Sequence, residues 1–256
     1  MTKIIMSGAN GRMGKVITEL AEKDPDAEIV AGIDVISTGN EPYPVFTDAS
    51  SCKVEADVII DFSSPKALGG LLALAEEKNM PIVLCTTGYS AEELDRIRDA
   101  TAKIAILKSG NMSLGINTVM SLLKSATQVF VPAGFDVEIV EQHHNQKVDA
   151  PSGTALMLAD SVNEAAGGDM EYIFDRSQRR EKRGKKELGI SAVRGGTIPG
   201  IHEVIFAGPD EVIEIRHVAY SRSVFGNGAL QAAKYLKGKT KGMYDMGDVI
   251  AAAASE

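Results

Sequence analysis

The sequence predicts an α/β protein, a doubly wound parallel sheet with a second α+β domain of mainly antiparallel or mixed sheet inserted into it. Three observations carry that expectation. Short β-rich runs alternate with amphipathic helical segments through the first half of the chain. A glycine-rich turn joins the first run to the first helix, and the second run ends in an acid. After Asn111 the rhythm gives way to one long helix and then to residues alternating polar and apolar with period two.

Taken in order, residues 3–6 read as a strand, 11–23 as a helix and 28–33 as a second strand. Residues 58–62 form an almost uninterrupted apolar run, as expected for a strand buried on both faces of a parallel sheet. A helix over 65–78 and a strand over 81–86 follow. Ser90 and Glu93 make a capping box that opens a helix running to Ala102, and 104–107 is a further strand. Beyond Asn111, residues 115–130 read as one helix, 136–141 as a strand with one wet and one dry face, and 155–166 as another helix. Strands are expected at 189–193, 202–207 and 212–219, the last two joined by the turn Gly208-Pro209-Asp210. A final helix over 227–236 is expected to pack back on the first domain.

Composition narrows the function. The 256 residues are 44% hydrophobic and 24% charged, as in ordinary globular proteins. No apolar run reaches the ~20 residues needed to cross a bilayer, and no signal-peptide segment precedes the first glycines, so a cytoplasmic location is expected. The net charge of -8 argues against nucleic acid as the main partner. Cys52 and Cys85 are too few for a disulfide framework or a zinc cluster, and both read as small buried hydrophobes. The basic stretch from Arg176 to Lys186 reads as a solvated loop, or alternatively as a mobile flap that draws in an acidic small molecule.

Two constellations carry chemistry. The first is Gly8-Ala9-Asn10-Gly11-Arg12-Met13-Gly14, between a strand and a helix. Glycines there permit a tight turn and a close approach of backbone to a pyrophosphate seated on the helix N-terminus. The spacing G-x-x-G-x-x-G is weak evidence alone, but the next strand ends in Gly32-Ile33-Asp34, which sets a carboxylate where it can accept from ribose hydroxyls. The order is that of a Rossmann-type dinucleotide site. Two polar strand-to-helix loops, Cys85-Thr86-Thr87-Gly88 and Ser109-Gly110-Asn111-Met112, fall where this fold places further cofactor contacts, although neither would be singled out by itself.

The second constellation runs from His143 to Thr154 and holds two of the chain's four histidines, with Lys147 close behind. Neighbours on a strand point to opposite faces, so His143 and His144 should do different jobs, and a two-histidine metal site is disfavoured. No metal is expected. Ser152-Gly153-Thr154 at a helix N-terminus makes a cradle for a carboxylate. An imidazole, an ammonium and an anion cradle together suit proton transfer on a carboxylated substrate. His202 and His217 lie within alternating strands, where a structural role is expected. Arg194-Gly195-Gly196 offers either a guanidinium for a substrate carboxylate or a simple strand break.

These residues resemble the 4-hydroxy-tetrahydrodipicolinate (dihydrodipicolinate) reductase family of the diaminopimelate and lysine pathway. The likeness runs from Gly8 to about Val249. It is most specific over residues 141–155, which fit the signature E-x-H-H-x-x-K-x-D-A-P-S-G-T-A, and continues in Arg194-Gly195-Gly196 with His202. The resemblance implies that residues 1–114, completed by 222–256, bind the dinucleotide and that 115–221 bind substrate and assemble a homotetramer. It implies His143 as proton donor assisted by Lys147, and His144, Gly153 and Thr154 as substrate ligands. Gly8, Ala9, Asn10, Gly11, Arg12, Met13, Asp34, Cys85, Thr86, Thr87, Ser109, Gly110, Asn111 and Met112 would then touch the cofactor. Cys85 before Thr86, and Gly110 and Met112 flanking Asn111, depart from the family's usual residues. The partner that the resemblance implies is a small dicarboxylate. Asp34 favours NADH, while Arg12 leaves room for some NADPH use. The competing readings are an amino-acid dehydrogenase or similar Rossmann reductase with an inserted domain, and a non-catalytic dinucleotide sensor. The pairing of His-His-x-x-Lys with Ser-Gly-Thr argues against both.

Overall fold

The computed structural model describes residues 1–254, and the chain divides into two compact units, Met1–Leu114 with Arg222–Glu256 and Gly115–Ser221. The first unit holds a seven-stranded sheet in which every pairing is parallel. Its strands are β1 (Thr2–Ser7), β2 (Ala27–Ile33), β3 (Val45–Phe46), β4 (Val58–Asp61), β5 (Ile82–Leu84), β6 (Ala105–Lys108) and, from the far end of the chain, β12 (Gly242–Tyr244). The spatial order β12-β6-β5-β4-β1-β2-β3 reverses direction between β1 and β4. That reversal opens a crevice at the carboxyl ends of those two strands.

Helices cover both faces of this sheet. Ile4, Met6, Val58 and Ile60 look toward α1 (Arg12–Ala21) and α6 (Ser223–Leu236), meeting Ile17, Ala229 and Ala233. Ile5, Ala31, Ile59 and Ile82 look the other way, toward α2 (Leu68–Glu77) and α3 (Ala91–Ala100), meeting Leu71, Leu74 and Ile97. Alternate residues of β4 thus enter two different cores, which is why its sequence is apolar throughout. Burial of each such Ile or Leu contributes ~1.5–3 kcal/mol.

The second unit holds a five-stranded sheet in the order β11-β10-β7-β9-β8, formed by β7 (Asp136–His143), β8 (Glu171–Ile173), β9 (Glu187–Arg194), β10 (Gly200–Ala207) and β11 (Val212–Ala219). One face packs Val137, Ile139, Val204 and Phe206 against Leu123 of α4 (Leu114–Phe130) and Leu158 and Val162 of α5 (Gly153–Ala165). The opposite face carries half-buried Val140, Gln142, Ile201 and Ile205.

Some details refine the sequence expectation and others depart from it. The sheet of the second unit is the mixed one of the two forms expected: β10 pairs antiparallel with β7 and β11, whereas β9 pairs parallel with β7 and β8. A chain that leaves β7 through α5 returns in the same direction, so a parallel pair follows. The segment expected as one helix over 65–78 begins as a 3-10 turn, Pro65–Ala67, before α2. Helix α6 is not the last, because β12 and α7 (Met246–Ala253) follow it, α7 opening on a capping box between Asp245 and Asp248. The two-residue β3 and the three-residue β8 and β12 are too short to show periodicity.

Four residues of the basic stretch are ion-paired, while Arg180, Lys182 and Lys185 are exposed. Arg183 meets Asp136 at 2.7 Å and Glu138 at 3.0 Å, Arg179 meets Glu187 at 3.1 Å, and Arg176 and Lys186 pair with Glu187 and Asp169. Its charges fasten the β8–β9 connection to the sheet. No helix among the described residues is long and apolar enough to cross a membrane.

Candidate active site

In the first unit the candidate residues gather at the carboxyl ends of the central strands. Gly8 follows β1 with φ of +80°, and a Cβ there would lie 2.7 Å from the Phe62 carbonyl oxygen. Only glycine fits both restraints. At Gly14 a Cβ would stand 2.2 Å from the Gly8 oxygen, so α1 can start this close to the loop only without a side chain. Gly11 is the N-cap of α1 and offers no side-chain cap. The first-turn amides of α1 are therefore left for an external anion, and the loop fits the pyrophosphate of a dinucleotide.

Asp34, directly after β2, accepts from the backbone N–H of Asn10 at 2.9 Å and from that of Ile36 at 3.3 Å. The Asn10 side chain reaches past it to Glu41 at 2.8 Å. Glu41 also accepts from the N–H of Thr38, which together with Asn10 holds its carboxyl down to about 2. Two acids thus flank one asparagine of the glycine loop, and the second was not singled out from sequence.

The loops after β5 and β6 complete this end of the sheet. Cys85 and Met112 are buried in the core, so only their backbones are presented to the crevice side. Burial raises the Cys85 thiol well above its usual range, and the charge of Asp61 adds to the effect. Thr86 is buried and donates to Asp61, whereas Thr87 and Gly110 are exposed. Ser109 Oγ donates to the Asn111 carbonyl at 2.8 Å and accepts from the Asn111 N–H at 3.2 Å, fixing the turn before Met112.

Asp61 itself was missed. It ends β4 with no exposed surface and accepts from Ser7 Oγ at 2.8 Å, Ser63 Oγ at 2.5 Å and Thr86 Oγ1 at 2.7 Å. A carboxylate inside the apolar run 58–62 was the available signal. It ties three loops at the carboxyl ends of β1, β4 and β5 to one buried point.

The second unit builds a different cluster. Val137, Ile139, Glu141 and His143 alternate onto the helix-covered face of β7, so the strand that feeds the core ends in an acid and an imidazole on the same side. Glu141 is fully buried. Its Oε2 lies 2.6 Å from His143 Nδ1 and accepts from Arg194 Nη1 at 2.8 Å, while Oε1 accepts from Arg194 Nη2 at 2.7 Å and from the Ser152 N–H at 2.9 Å. Burial works to raise this carboxyl, but Arg194, His143 and Ser152 together hold it below the usual range. For His143 burial prevails over the pull of Glu141 and lowers the imidazole.

Ser152 caps α5. Its Oγ accepts from the Ala155 N–H at 3.1 Å and lies 3.0 Å from His202 Nε2. His202 is pushed down to about 3 by burial and then by the charge of His143, and it stays neutral. The hydrogen bond between this neutral ring and Ser152 ties β10 to the start of α5. Arg194 binds Glu141 through both Nη atoms and, at 2.6 Å, the Asp149 carbonyl, which weighs against the reading of its guanidinium as a ligand for a substrate carboxylate. The alternative of a strand break holds, since β9 ends there and Gly196 has φ of +51°.

His144 follows the end of β7, and its backbone N–H donates to the Ile198 carbonyl at 2.8 Å. Lys147 meets Asp149 at 2.7 Å, and Gly153 and Thr154 form the first positions of α5. Gly200, also missed, stands beside His143: a Cβ there would lie 3.2 Å from Nε2. Among the described residues no group of three or more His, Cys, Asp or Glu is arranged to hold a metal ion.

Residues 2–112 match the family described as dihydrodipicolinate reductase, N-terminus, and residues 115–250 match that described as dihydrodipicolinate reductase, C-terminus. The 4-hydroxy-tetrahydrodipicolinate reductase of Clostridium tetani (strain Massachusetts / E88) is 52% identical over 246 residues, covering 96% of each chain. Its counterpart in Caldanaerobacter subterraneus subsp. tengcongensis is 51% identical over 250 residues, covering 98% of each. Among solved structures, a dipicolinate-bound dihydrodipicolinate reductase from Paenisporosarcina sp. TG-14 has the same fold, with a TM-score of 0.79 at 24% identity over 96% of this chain and 97% of that one. Aspartate dehydrogenase from Thermotoga maritima shares the fold more loosely, with a TM-score of 0.53 at 13% identity over 93% of this chain and 98% of that one.

Proposed function

The chain belongs to the dihydrodipicolinate reductase family, and on that premise we propose that it reduces 4-hydroxy-tetrahydrodipicolinate to tetrahydrodipicolinate, with His143 as the proton donor. The observation that carries this reading is a buried imidazole at the end of β7, hydrogen-bonded to Glu141 and set beside the N-terminus of α5. A nicotinamide dinucleotide, when bound, supplies the hydride. Gly8, Ala9, Asn10, Gly11, Arg12 and Met13 hold its pyrophosphate, Asp34 takes the adenosine ribose, and residues 85–87 and 109–112 border it at the neighbouring strand ends.

Loss of the 4-hydroxyl as water gives a conjugated cyclic imine, and hydride addition to that imine leaves a carbanion-like centre that must gain a proton. His143 holds that proton at Nε2. In the free protein burial keeps the imidazole largely neutral near pH 7. A bound dicarboxylate brings two negative charges that favour the imidazolium, so the donor charges as the substrate arrives. Gly153, Thr154 and the α5 N-terminus hold a substrate carboxylate, with His144 as a further ligand. Lys147 assists by stabilising negative charge that develops on the ring nitrogen.

Asp34 and Glu41 place negative charge where a 2′-phosphate would lie, which supports a preference for NADH, with Arg12 allowing some NADPH use. The half-buried apolar residues on the open face of the five-stranded sheet, together with Val193 and Val212 at 46% and 57% exposure, support assembly into a homotetramer through that face. Loss of NADH absorbance, with the aldol product generated in situ from pyruvate and aspartate semialdehyde, tests the reaction. No loss above the enzyme-free rate overturns it.

A further inference from the structure

We propose that Glu141 is the positioning residue for His143: it fixes the ring in the tautomer that leaves Nε2 as the proton-delivering atom, and Arg194 clamps it in place to do so. This rests on the reading of His143 as proton donor. A carboxylate can only accept, so the 2.6 Å contact requires that His143 Nδ1 carry a hydrogen and donate it to Glu141 Oε2. The neutral ring then has its lone pair on Nε2, and the imidazolium presents its transferable proton there.

Glu141 cannot turn away from this task. Two guanidinium nitrogens of Arg194 grip both of its oxygens, and the Ser152 N–H fixes Oε1 from the α5 side. The same contacts satisfy a charge that has no access to water. The charged and titratable groups acting on His143 are Glu141 on its own strand, Arg194 on β9, Lys147 in the following loop and His202 on β10. Of these only Glu141 is negative, and only Glu141 bonds the ring. His202 meets His143 edge to face at 5.1 Å between ring centres and remains neutral, so it does not compete for the proton. On the Nε2 side stands Gly200, whose missing side chain leaves that atom room.

Long-range proton–nitrogen correlation spectra of the wild-type protein, taken on the alkaline side of the His143 titration, read the tautomer directly. The Nδ1–H form is expected, and the Nε2–H form overturns the inference. In kinetics, Glu141→Gln is expected to lower kcat by about 10²–10⁴-fold, the range spanned by general acid catalysis and by loss of an orienting carboxylate. The Michaelis constant for NADH should not move. Activity that needs the imidazolium falls as pH rises through its pKa, and loss of the neighbouring negative charge lowers that pKa. The descending limb of kcat/KM therefore shifts to lower pH in Glu141→Gln, while Glu141→Asp restores it toward the wild-type position. The double variant with His143→Gln should be no slower than His143→Gln alone.

His143→Gln separates the two readings. If it keeps wild-type turnover, the donor assignment fails and the positioning role fails with it. If it is inactive while Glu141→Gln keeps both kcat and the pH limb, only the positioning role is overturned. Should Glu141→Gln not fold, the wild-type tautomer decides alone.

Discussion

Asp61 in the first unit and Glu141 in the second are both carboxylates with no exposed surface, and the protein satisfies them in opposite ways. Around Asp61 the donors nearest its oxygens are neutral hydroxyls, from Ser7, Ser63 and Thr86, with the Ser63 N–H at 3.1 Å. Around Glu141 they are a guanidinium, an imidazole and one backbone N–H. Hydroxyls can anchor loops but cannot change charge near neutral pH. An imidazole can, so the second cluster is equipped for proton transfer and the first for holding a backbone cradle still. Similar burial serves positioning in one unit and, on the proposed reading of His143, proton transfer in the other.

The contrast is tested most severely by His143→Gln. Turnover should fall by about two to four orders of magnitude, the usual contribution of a general acid, with little change in thermal stability or cofactor affinity. A stopped assay and a dinucleotide titration on the same preparation check this, and near-normal turnover would break the comparison at its catalytic end.

Asp61→Ala should show the reverse pattern. Its hydroxyl donors and the Ser63 N–H lose a charged acceptor in a buried site, at an expected cost on the order of 2–4 kcal/mol of stability. A denaturant melt without ligands measures that loss. A collapse of kcat at saturating cofactor, with stability intact, would instead make Asp61 part of the chemistry.

Thr154→Val tests the substrate side with a smaller effect. Loss of one hydrogen bond to a charged group costs roughly 1.5–3 kcal/mol, which should appear in the Michaelis constant for the dicarboxylate and spare kcat. An unmoved constant in a folded variant counts against the cradle at the start of α5.

The smallest effect is expected at Glu41, an acid held by Asn10 and Thr38. Glu41→Gln removes negative charge near Asp34 and should raise NADPH use relative to NADH only severalfold, because solvent and salt screen that site. The ratio of kcat/KM for the two dinucleotides at one salt concentration decides it. A ratio that stays put would leave Asp34, balanced by Arg12, as the acid that discriminates.

Local physics made much of this molecule readable from its chain. The parallel sheet was legible because apolar strands, glycine turns and capping residues such as Ser90 with Glu93 act over a few neighbours. The period-two pattern over 136–141 announced a strand with one dry face, and β7 has one. Segments too short for periodicity, such as β8 and β12, gave no such cue. Nor did strand direction in the second sheet, which depends on the path taken through α5.

The candidate residues divide along the same line. Glycines at 8, 11 and 14, in their strand-turn-helix setting, and the His-His pair stand out in the chain, because backbone reach and side-chain alternation are local properties. What each charged group does was decided only by folding. Ser7 meets Asp61 across 54 positions, Arg194 meets Glu141 across 53, and Ser152 meets His202 across 50. Arg194 therefore read in the chain as either a substrate anchor or part of a strand break, and in the fold it grips Glu141. A hydrogen bond is set by distance and angle in space, and no spacing rule along the sequence encodes a partner brought in by a sheet and its crossovers.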